Sequence, residues 1–156
     1  MGTSSRAEPE RIVLDTGVLV EYIVKRAPYR HKVVDLFKNA DEGNIKLFMS
    51  PITLSETLYV ASRIYEASST PDPNEEALKY VEWLKGRVSV VSITEEIAKR
   101  AGELKKELRM ALPDCYVIAT ADHIEGSPLF RRVEREMEPF LDRLEKLGVL
   151  FLDLIV

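Results

Sequence analysis

Ile12-Val13-Leu14-Asp15-Thr16 is an apolar run that ends in an acid and a hydroxyl residue. Because its apolar residues are consecutive rather than alternating, the run predicts a strand that is buried on both faces. A carboxylate beside apolar surface costs free energy unless another group pairs with it. The stretch therefore predicts a central strand of an α/β sheet, with a functional carboxylate at its carboxyl end.

Two more acids occupy comparable positions further along the chain. Glu56 follows the strand-like run Leu47-Phe48-Met49 after a short turn rich in Ser, Pro and Thr, and Asp114 opens the apolar run 115–119. In open α/β sheets the active crevice lies at the carboxyl ends of the strands. We therefore expect Asp15, Glu56 and Asp114 to share one rim of the sheet and to hold a cation there.

Each acid also has an ordinary structural explanation. Asp15 would simply end a strand in a turn, and Asp114 would face the dipole of its own helix. Thr53 and Glu56 fit the Thr-x-x-Glu capping box at a helix start. The coincidence of all three acids at predicted strand ends, in the right order, favours the cation site over these explanations.

Apolar periodicity and turn residues along the rest of the chain predict strands that alternate with helices. The predicted strands cover residues 11–14, 45–49, 88–93, 127–130 and 149–156. The predicted helices cover residues 18–23, 29–39, 53–67, 74–85, 94–108, 113–123 and 133–147. This alternation predicts an α/β fold around a mostly parallel five-stranded sheet. We expect residues 1–10 to form a flexible tail and residues 11–156 to form one domain.

Composition sets the protein class. The 156 residues are 46% apolar and 31% charged, with a net charge of −4, which is typical of a globular domain and disfavours broad nonspecific binding to polyanions. The single cysteine, Cys115, excludes an internal disulfide and fits a reducing cytoplasm; we interpret it as a small buried hydrophobe. The apolar runs are too short to span a membrane, and because the first ten residues are polar we expect no secretory leader there.

The residue types also indicate which metal and which reaction to expect. Carboxylate oxygens select Mg²⁺ or Mn²⁺, and the two histidines, His31 and His123, form no spaced pair that would favour zinc. Carboxylates around one or two hard cations suit phosphodiester hydrolysis. Three hydroxyl residues lie near the acids in sequence and would orient a carboxylate or a bound water, namely Thr16, Thr53 and Ser55.

Three blocks resemble the PIN-domain family and, within it, VapC-like toxins and PIN-type ribonucleases: residues 12–16, 49–56 and 112–121. The resemblance extends from Arg11 to the end of the chain. It implies a three-layer α/β/α sandwich with a parallel five-stranded sheet, an acidic site for Mg²⁺ or Mn²⁺, and endoribonuclease activity on single-stranded RNA. Carried over, Asp15, Glu56 and Asp114 are metal ligands and catalytic residues, and Thr16 is a supporting hydroxyl.

The sequence departs from the family pattern at the fourth acid. Family members usually have Thr-x-Asp after a strand, and Val133 occupies the corresponding position here. Glu134, one residue later, is our expected fourth metal ligand and catalytic acid, with Glu136 and then Asp122 as alternatives. Two arginines in the same stretch would bind an RNA phosphate, or would pair with the acids and quench the site; they are Arg131 and Arg132.

The sequence thus predicts a metal-dependent endoribonuclease of single-stranded RNA, with the toxin of a type II toxin–antitoxin pair as its biological setting. The alternative is a catalytically weak PIN-like module that binds RNA or protein in RNA processing. A small-molecule phosphatase is disfavoured because the chain has no Asp-x-Asp pair and no glycine-rich phosphate loop. The resemblance also implies an antitoxin over the acidic site and a homodimer. Four apolar residues would either form the interface of this dimer or simply fill the core, namely Tyr59, Ile64, Tyr65 and Trp83.

Overall fold

The computed structural model describes residues 8–155, and a parallel sheet lies at its centre. Its strands are β1 (Glu10–Leu14), β2 (Ile45–Met49), β3 (Val88–Val90), β4 (Ser127–Phe130) and β5 (Leu150–Phe151). They lie side by side in the order β3-β2-β1-β4-β5, and every neighbouring pair is parallel. The predicted five-stranded parallel sheet is confirmed, and β1 is its central strand.

Helices cover both faces of this sheet. They are α1 (Thr16–Glu21), α2 (Arg30–Asp41), α3 (Pro51–Ala67), α4 (Pro73–Lys85), α5 (Glu95–Leu108), α6 (Leu112–His123) and α7 (Leu141–Lys146), with 3₁₀ helices at Arg135–Phe140 and Leu152–Leu154. Ile12 and Leu14 of β1 pack into a core with α1 to α4, whereas Val13 packs into a second core with α5 to α7. Successive strand residues point to opposite faces, so the predicted α/β/α sandwich is confirmed.

The predicted helix 133–147 is wrong as a single helix. The chain forms the 3₁₀ helix Arg135–Phe140, which contains Pro139, and then the short helix α7. Proline lacks the N–H that a continuous α-helix needs and clashes with the preceding turn. Met137 and Leu144 are buried, whereas Leu141, at the start of α7, is 41% exposed.

Two predicted strands are longer than the observed ones. β5 ends at Phe151 instead of residue 156, because its neighbour β4 ends at Phe130, the partner of Phe151. β3 likewise ends at Val90, the partner of the last residue of β2, Met49. A strand continues only while a neighbour supplies ladder hydrogen bonds.

Most of the predicted tail, residues 1–10, lies outside the described residues. Glu10, its last residue, already belongs to β1. Cys115 is fully buried at the start of α6, in agreement with its interpretation as a small hydrophobe, and burial raises the pKa of its thiol to about 11. Within residues 8–155, no helix has the length and apolar character needed to cross a membrane.

Candidate metal centre

Asp15 lies in the first residue position after β1 and caps α1. Its backbone N–H donates to the carbonyl of Leu129 in β4 (3.0 Å), and its Oδ2 accepts a hydrogen bond from the backbone N–H of Gly17 (3.3 Å). Burial raises the pKa of Asp15 to about 6, against the lowering effect of the Gly17 and Thr16 N–H groups, and the charges of Glu56 and Glu134 raise it further. The carboxylate is therefore held rigidly at the sheet rim among other acids.

Glu56 projects from the second turn of α3, not from its first turn as the sequence suggested. The helix begins earlier than predicted because Ser50 caps it, with its Oγ accepting from the N–H of Ile52, and Pro51 occupies the first helical position. Thr53 and Glu56 therefore do not form the capping box. Instead, the Thr16 hydroxyl of α1 donates to Glu56 Oε1 across 3.1 Å, so a long-range hydrogen bond orients this carboxylate.

Asp114 lies in the first turn of the buried helix α6. Burial raises its pKa to about 7, and the charges of Asp15, Glu134, Glu136 and Glu56 add to this, in that order. The helix N-terminus would by itself favour the charged form, so burial and the acidic neighbours dominate. The three acids that the sequence singled out therefore interact with one another, although they come from three different segments.

Glu134 is the best placed of the three alternatives for a fourth acid. It is exposed at the start of the 3₁₀ helix Arg135–Phe140, and its charge acts on both Asp15 and Asp114. The charge of Glu136 acts on Asp114. Asp122 pairs with Arg100 (3.2 Å) at the other end of α6. We call the four carboxylates of Asp15, Glu56, Asp114 and Glu134 the acidic pocket.

The chemistry of the acidic pocket fits a hard divalent cation. Among the described residues, no basic side chain lowers the pKa of either Asp15 or Asp114. Four carboxylates without a counter-charge repel one another, and all their donor atoms are oxygens, the ligands that Mg²⁺ and Mn²⁺ prefer. No three acidic, His or Cys side chains within residues 8–155 are close enough to hold an ion as they stand. Metal binding therefore requires the carboxylates to draw together.

The predicted supporting hydroxyls differ in their surroundings. Thr16 contacts Glu56, as described above. Thr53 is buried, and its hydroxyl has no hydrogen-bond partner among the described residues. Ser55 is exposed, and its hydroxyl donates to the carbonyl of Ile52 in its own helix (2.8 Å). Of these three hydroxyl groups, only that of Thr16 therefore orients a carboxylate of the acidic pocket.

The two arginines after β4 lie in different environments. Arg131 donates from Nε to Glu21 Oε1 (2.8 Å), and its guanidinium lies 5.3 Å from the centre of the Tyr29 ring. Arg131 therefore neither quenches the acidic pocket nor stands free for an RNA phosphate, whereas Arg132 is exposed. Glu21 was not predicted from the sequence as a functional residue, although it is an acid that interrupts the apolar run from Val18 to Ile23.

Comparison with known proteins identifies the family of this fold and site. The family model for the PIN domain matches residues 12–151, so the chain belongs to the PIN-domain family. A search of curated protein sequences found no match.

Three solved structures illustrate the likeness of the fold. FitAcB from Neisseria gonorrhoeae is 17% identical, with a TM-score of 0.66, covering 92% of this chain and 99% of that one. A toxin–antitoxin complex from Klebsiella pneumoniae is 19% identical, with a TM-score of 0.60, covering 90% and 97%. The sarcin–ricin loop cleaving toxin VapC20 from Mycobacterium tuberculosis is 15% identical, with a TM-score of 0.58, covering 75% and 86%. At these identities the likeness shows the fold.

Proposed function

We propose that this protein is a Mg²⁺- or Mn²⁺-dependent endoribonuclease that hydrolyses phosphodiester bonds of single-stranded RNA. The observation that carries the proposal is the acidic pocket. Burial and mutual repulsion raise the pKa of Asp15 to about 6 and that of Asp114 to about 7, and no basic side chain among the described residues offsets this. Perturbed carboxylates that cluster at the carboxyl end of a parallel sheet are typical of a functional site. Membership of the PIN-domain family supports a nuclease.

The side chains of the acidic pocket have distinct roles in this proposal. Asp15, Glu56 and Asp114 would hold the metal, which when bound would supply an activated water and offset charge on the phosphate. Thr16 fixes one oxygen of Glu56 and leaves the other for the ion. Gly17 does the same for Asp15 through its backbone N–H. Glu134, which is exposed, completes the ligand set or takes a proton from water at the rim.

The test is cleavage of a mixed single-stranded RNA in Mn²⁺, in Mg²⁺ and in EDTA. We expect metal-dependent cleavage by the wild type that is lost in Asp15→Asn and in Asp114→Asn. Asp122→Asn is the matched control, because it makes the same substitution in α6 at a residue that pairs with Arg100; it should cleave like the wild type. RNA cleavage that persists in EDTA, or that survives in Asp114→Asn, would overturn the proposal.

A second function, an RNA- or protein-binding module with little catalysis, is favoured by one observation. Val133, at the position of the usual fourth acid, packs against the second core, and Glu134 beside it is exposed. If the wild type binds Mn²⁺ and leaves every RNA intact, this second function takes the place of the first.

We also propose that the protein is the toxin of a type II toxin–antitoxin pair in the cytoplasm. Two observations support this. The similar structures include a toxin–antitoxin complex, and the single thiol fits a reducing compartment. The antitoxin would cover the acidic pocket, with an arginine among the carboxylates. Co-expression with the product of a neighbouring gene tests it: a complex that blocks RNA cleavage is expected, and free, fully active protein would contradict the pairing.

We further propose a homodimer through α3 and α4. Tyr59 in α3 is 60% exposed and Leu78 in α4 is 46% exposed, which leaves apolar surface for a partner. Tyr65 and Trp83, by contrast, pack against the first core, so they contribute less to such an interface than the sequence suggested. Light scattering of the wild type and of Tyr59→Glu tests this: the variant should be monomeric, and a wild-type monomer would refute the dimer.

A further inference from the structure

Glu21, at the end of α1, is the least exposed charged residue among the described residues. It is 4% exposed, and its neighbours Val18 and Leu19 are fully buried. A buried carboxylate is strongly destabilising unless it is paired and hydrogen-bonded. Glu21 and Asp15 lie at opposite ends of the short helix α1.

Both oxygens of Glu21 have partners from other parts of the chain. Oε1 accepts from Nε of Arg131 (2.8 Å), which follows β4, and Oε2 accepts from the backbone N–H of Tyr29 (2.9 Å), which precedes α2. The Arg131 guanidinium is also held against the Tyr29 ring, 5.3 Å from its centre. Glu21 and Tyr29 thus fix the direction in which the Arg131 side chain points.

Arg131 lies next to the acidic pocket, separated from it by a residue without a side chain. A Cβ atom placed on Gly17 would lie 3.4 Å from Asp15 Oδ2, 3.1 Å from Arg131 Cβ and 3.7 Å from Arg131 Cδ. The Asp15 carboxylate and the aliphatic part of Arg131 therefore flank the same glycine. The guanidinium extends beyond Cδ and is therefore long enough to reach Asp15 when Arg131 loses its present partners.

We infer that Glu21 is a positioning residue, which holds Arg131 away from the acidic pocket and so keeps the pocket open to a divalent cation. The inference rests on the proposed metal site. An arginine forms strong charge-assisted hydrogen bonds with carboxylates, and the carboxylate of Asp15 lies beside Arg131 across Gly17. Without Glu21, Arg131 would occupy the acidic pocket as an internal cation and compete with the metal.

The test is isothermal titration calorimetry of the full chain with Mn²⁺ alone. It compares the Mn²⁺ affinities of the wild type, Glu21→Gln, Arg131→Gln and the double variant. A charge-assisted hydrogen bond between an arginine and a carboxylate that must break before the metal binds should weaken metal binding by about 10- to 100-fold. We expect a weakening of that size in Glu21→Gln and recovery to the wild-type affinity in the double variant, where no arginine competes. Glu138→Gln, at an exposed position, controls for the lost charge and should bind like the wild type.

Circular dichroism establishes that each variant is folded. If Glu21→Gln does not fold, Glu21→Asp replaces it, because the shorter carboxylate retains the charge and withdraws from Arg131; it should also weaken Mn²⁺ binding. Wild-type affinity in the Glu21 variant, or equal weakening in the double variant, would overturn the inference alone. A wild type that binds no Mn²⁺ would overturn the proposed function, and the inference with it.

Discussion

Replacing Asp15 by Asn should stabilise the metal-free protein and abolish its response to metal. Asn has nearly the same shape and retains an oxygen that can accept the hydrogen bond from Gly17. It removes a charge that the fold holds at a cost, since burial raises the pKa of Asp15 from 3.8 to about 6. Residues that serve function at the expense of stability are common at active sites.

The size of the effect follows from that pKa. A rise of about two units corresponds to about 3 kcal/mol, at 1.36 kcal/mol per unit. Part of this gain in the free energy of unfolding is lost in the variant, because the neutral oxygen of Asn accepts a weaker hydrogen bond than a carboxylate does. We therefore expect a net gain of about 1–3 kcal/mol at about pH 8. For a protein of this size that corresponds to roughly 2–10 °C in Tm.

The pH dependence has a definite sign. The folded protein binds the Asp15 proton more tightly than the unfolded chain does, so the stability that this proton confers is present below the unfolded pKa, about 4, and is lost as the pH rises through about 6. The advantage of Asp15→Asn should therefore be large at about pH 8 and should shrink toward pH 4.

Denaturant unfolding in EDTA measures the stability that the variant gains, and unfolding in Mn²⁺ measures its lost response to metal. In EDTA the variant should be the more stable protein. Mn²⁺ should reverse the order, because a ligand at about 1,000 times its Kd stabilises the wild type by about 4.1 kcal/mol, which exceeds the expected gain of the variant, and should stabilise the variant much less. Asp35→Asn, at an exposed position in α2, is the control and should change neither value by more than about 0.5 kcal/mol. Equal stability of wild type and Asp15→Asn in EDTA at about pH 8 would refute the reasoning.

Three further predictions concern single positions. Glu134→Gln should reduce RNA cleavage more than Glu136→Gln, because the charge of Glu134 acts on both Asp15 and Asp114, whereas that of Glu136 acts on Asp114 alone. Equal cleavage rates of the two variants would contradict the role of Glu134 as the fourth acid. Ser50→Ala should lower the free energy of unfolding by about 1 kcal/mol through loss of the α3 cap, and an unchanged unfolding midpoint would contradict this. Cys115 should resist thiol reagents in the native protein and react on unfolding, because it is fully buried; rapid native labelling would contradict this.

The sequence predicts elements whose structure is set by nearby residues. The bounds of β2 and β4 agree with their predicted ranges, because apolar runs with turn residues on either side determine them locally. The ends of β3 and β5 depend on where β2 and β4 stop, which is information from elsewhere in the chain. The helix predicted over 133–147 shows the reverse error, since apolar periodicity outweighed the local effect of Pro139.

The candidate site likewise contains residues that local sequence patterns predict and residues that only the folded structure brings together. Asp15, Glu56 and Asp114 follow apolar runs, and parallel topology brings such positions to one rim, so sequence reasoning could group them. The pair of Glu21 and Arg131 joins residues 110 positions apart, and no local pattern reveals which of the chain's arginines neutralises a buried acid. Three-dimensional packing decides this pairing.

In the proposed function, the acidic pocket holds a metal that directs water to an RNA phosphate. The most direct measurement is the chemistry of the RNA ends produced in Mn²⁺ by wild type and by Asp114→Asn. Attack by water predicts wild-type products without 2′,3′-cyclic phosphates and no cleavage by the variant. Cyclic phosphate ends, or the same products from Asp114→Asn, would contradict the account, because the cut would then come from the RNA's own 2′-hydroxyl or from another site.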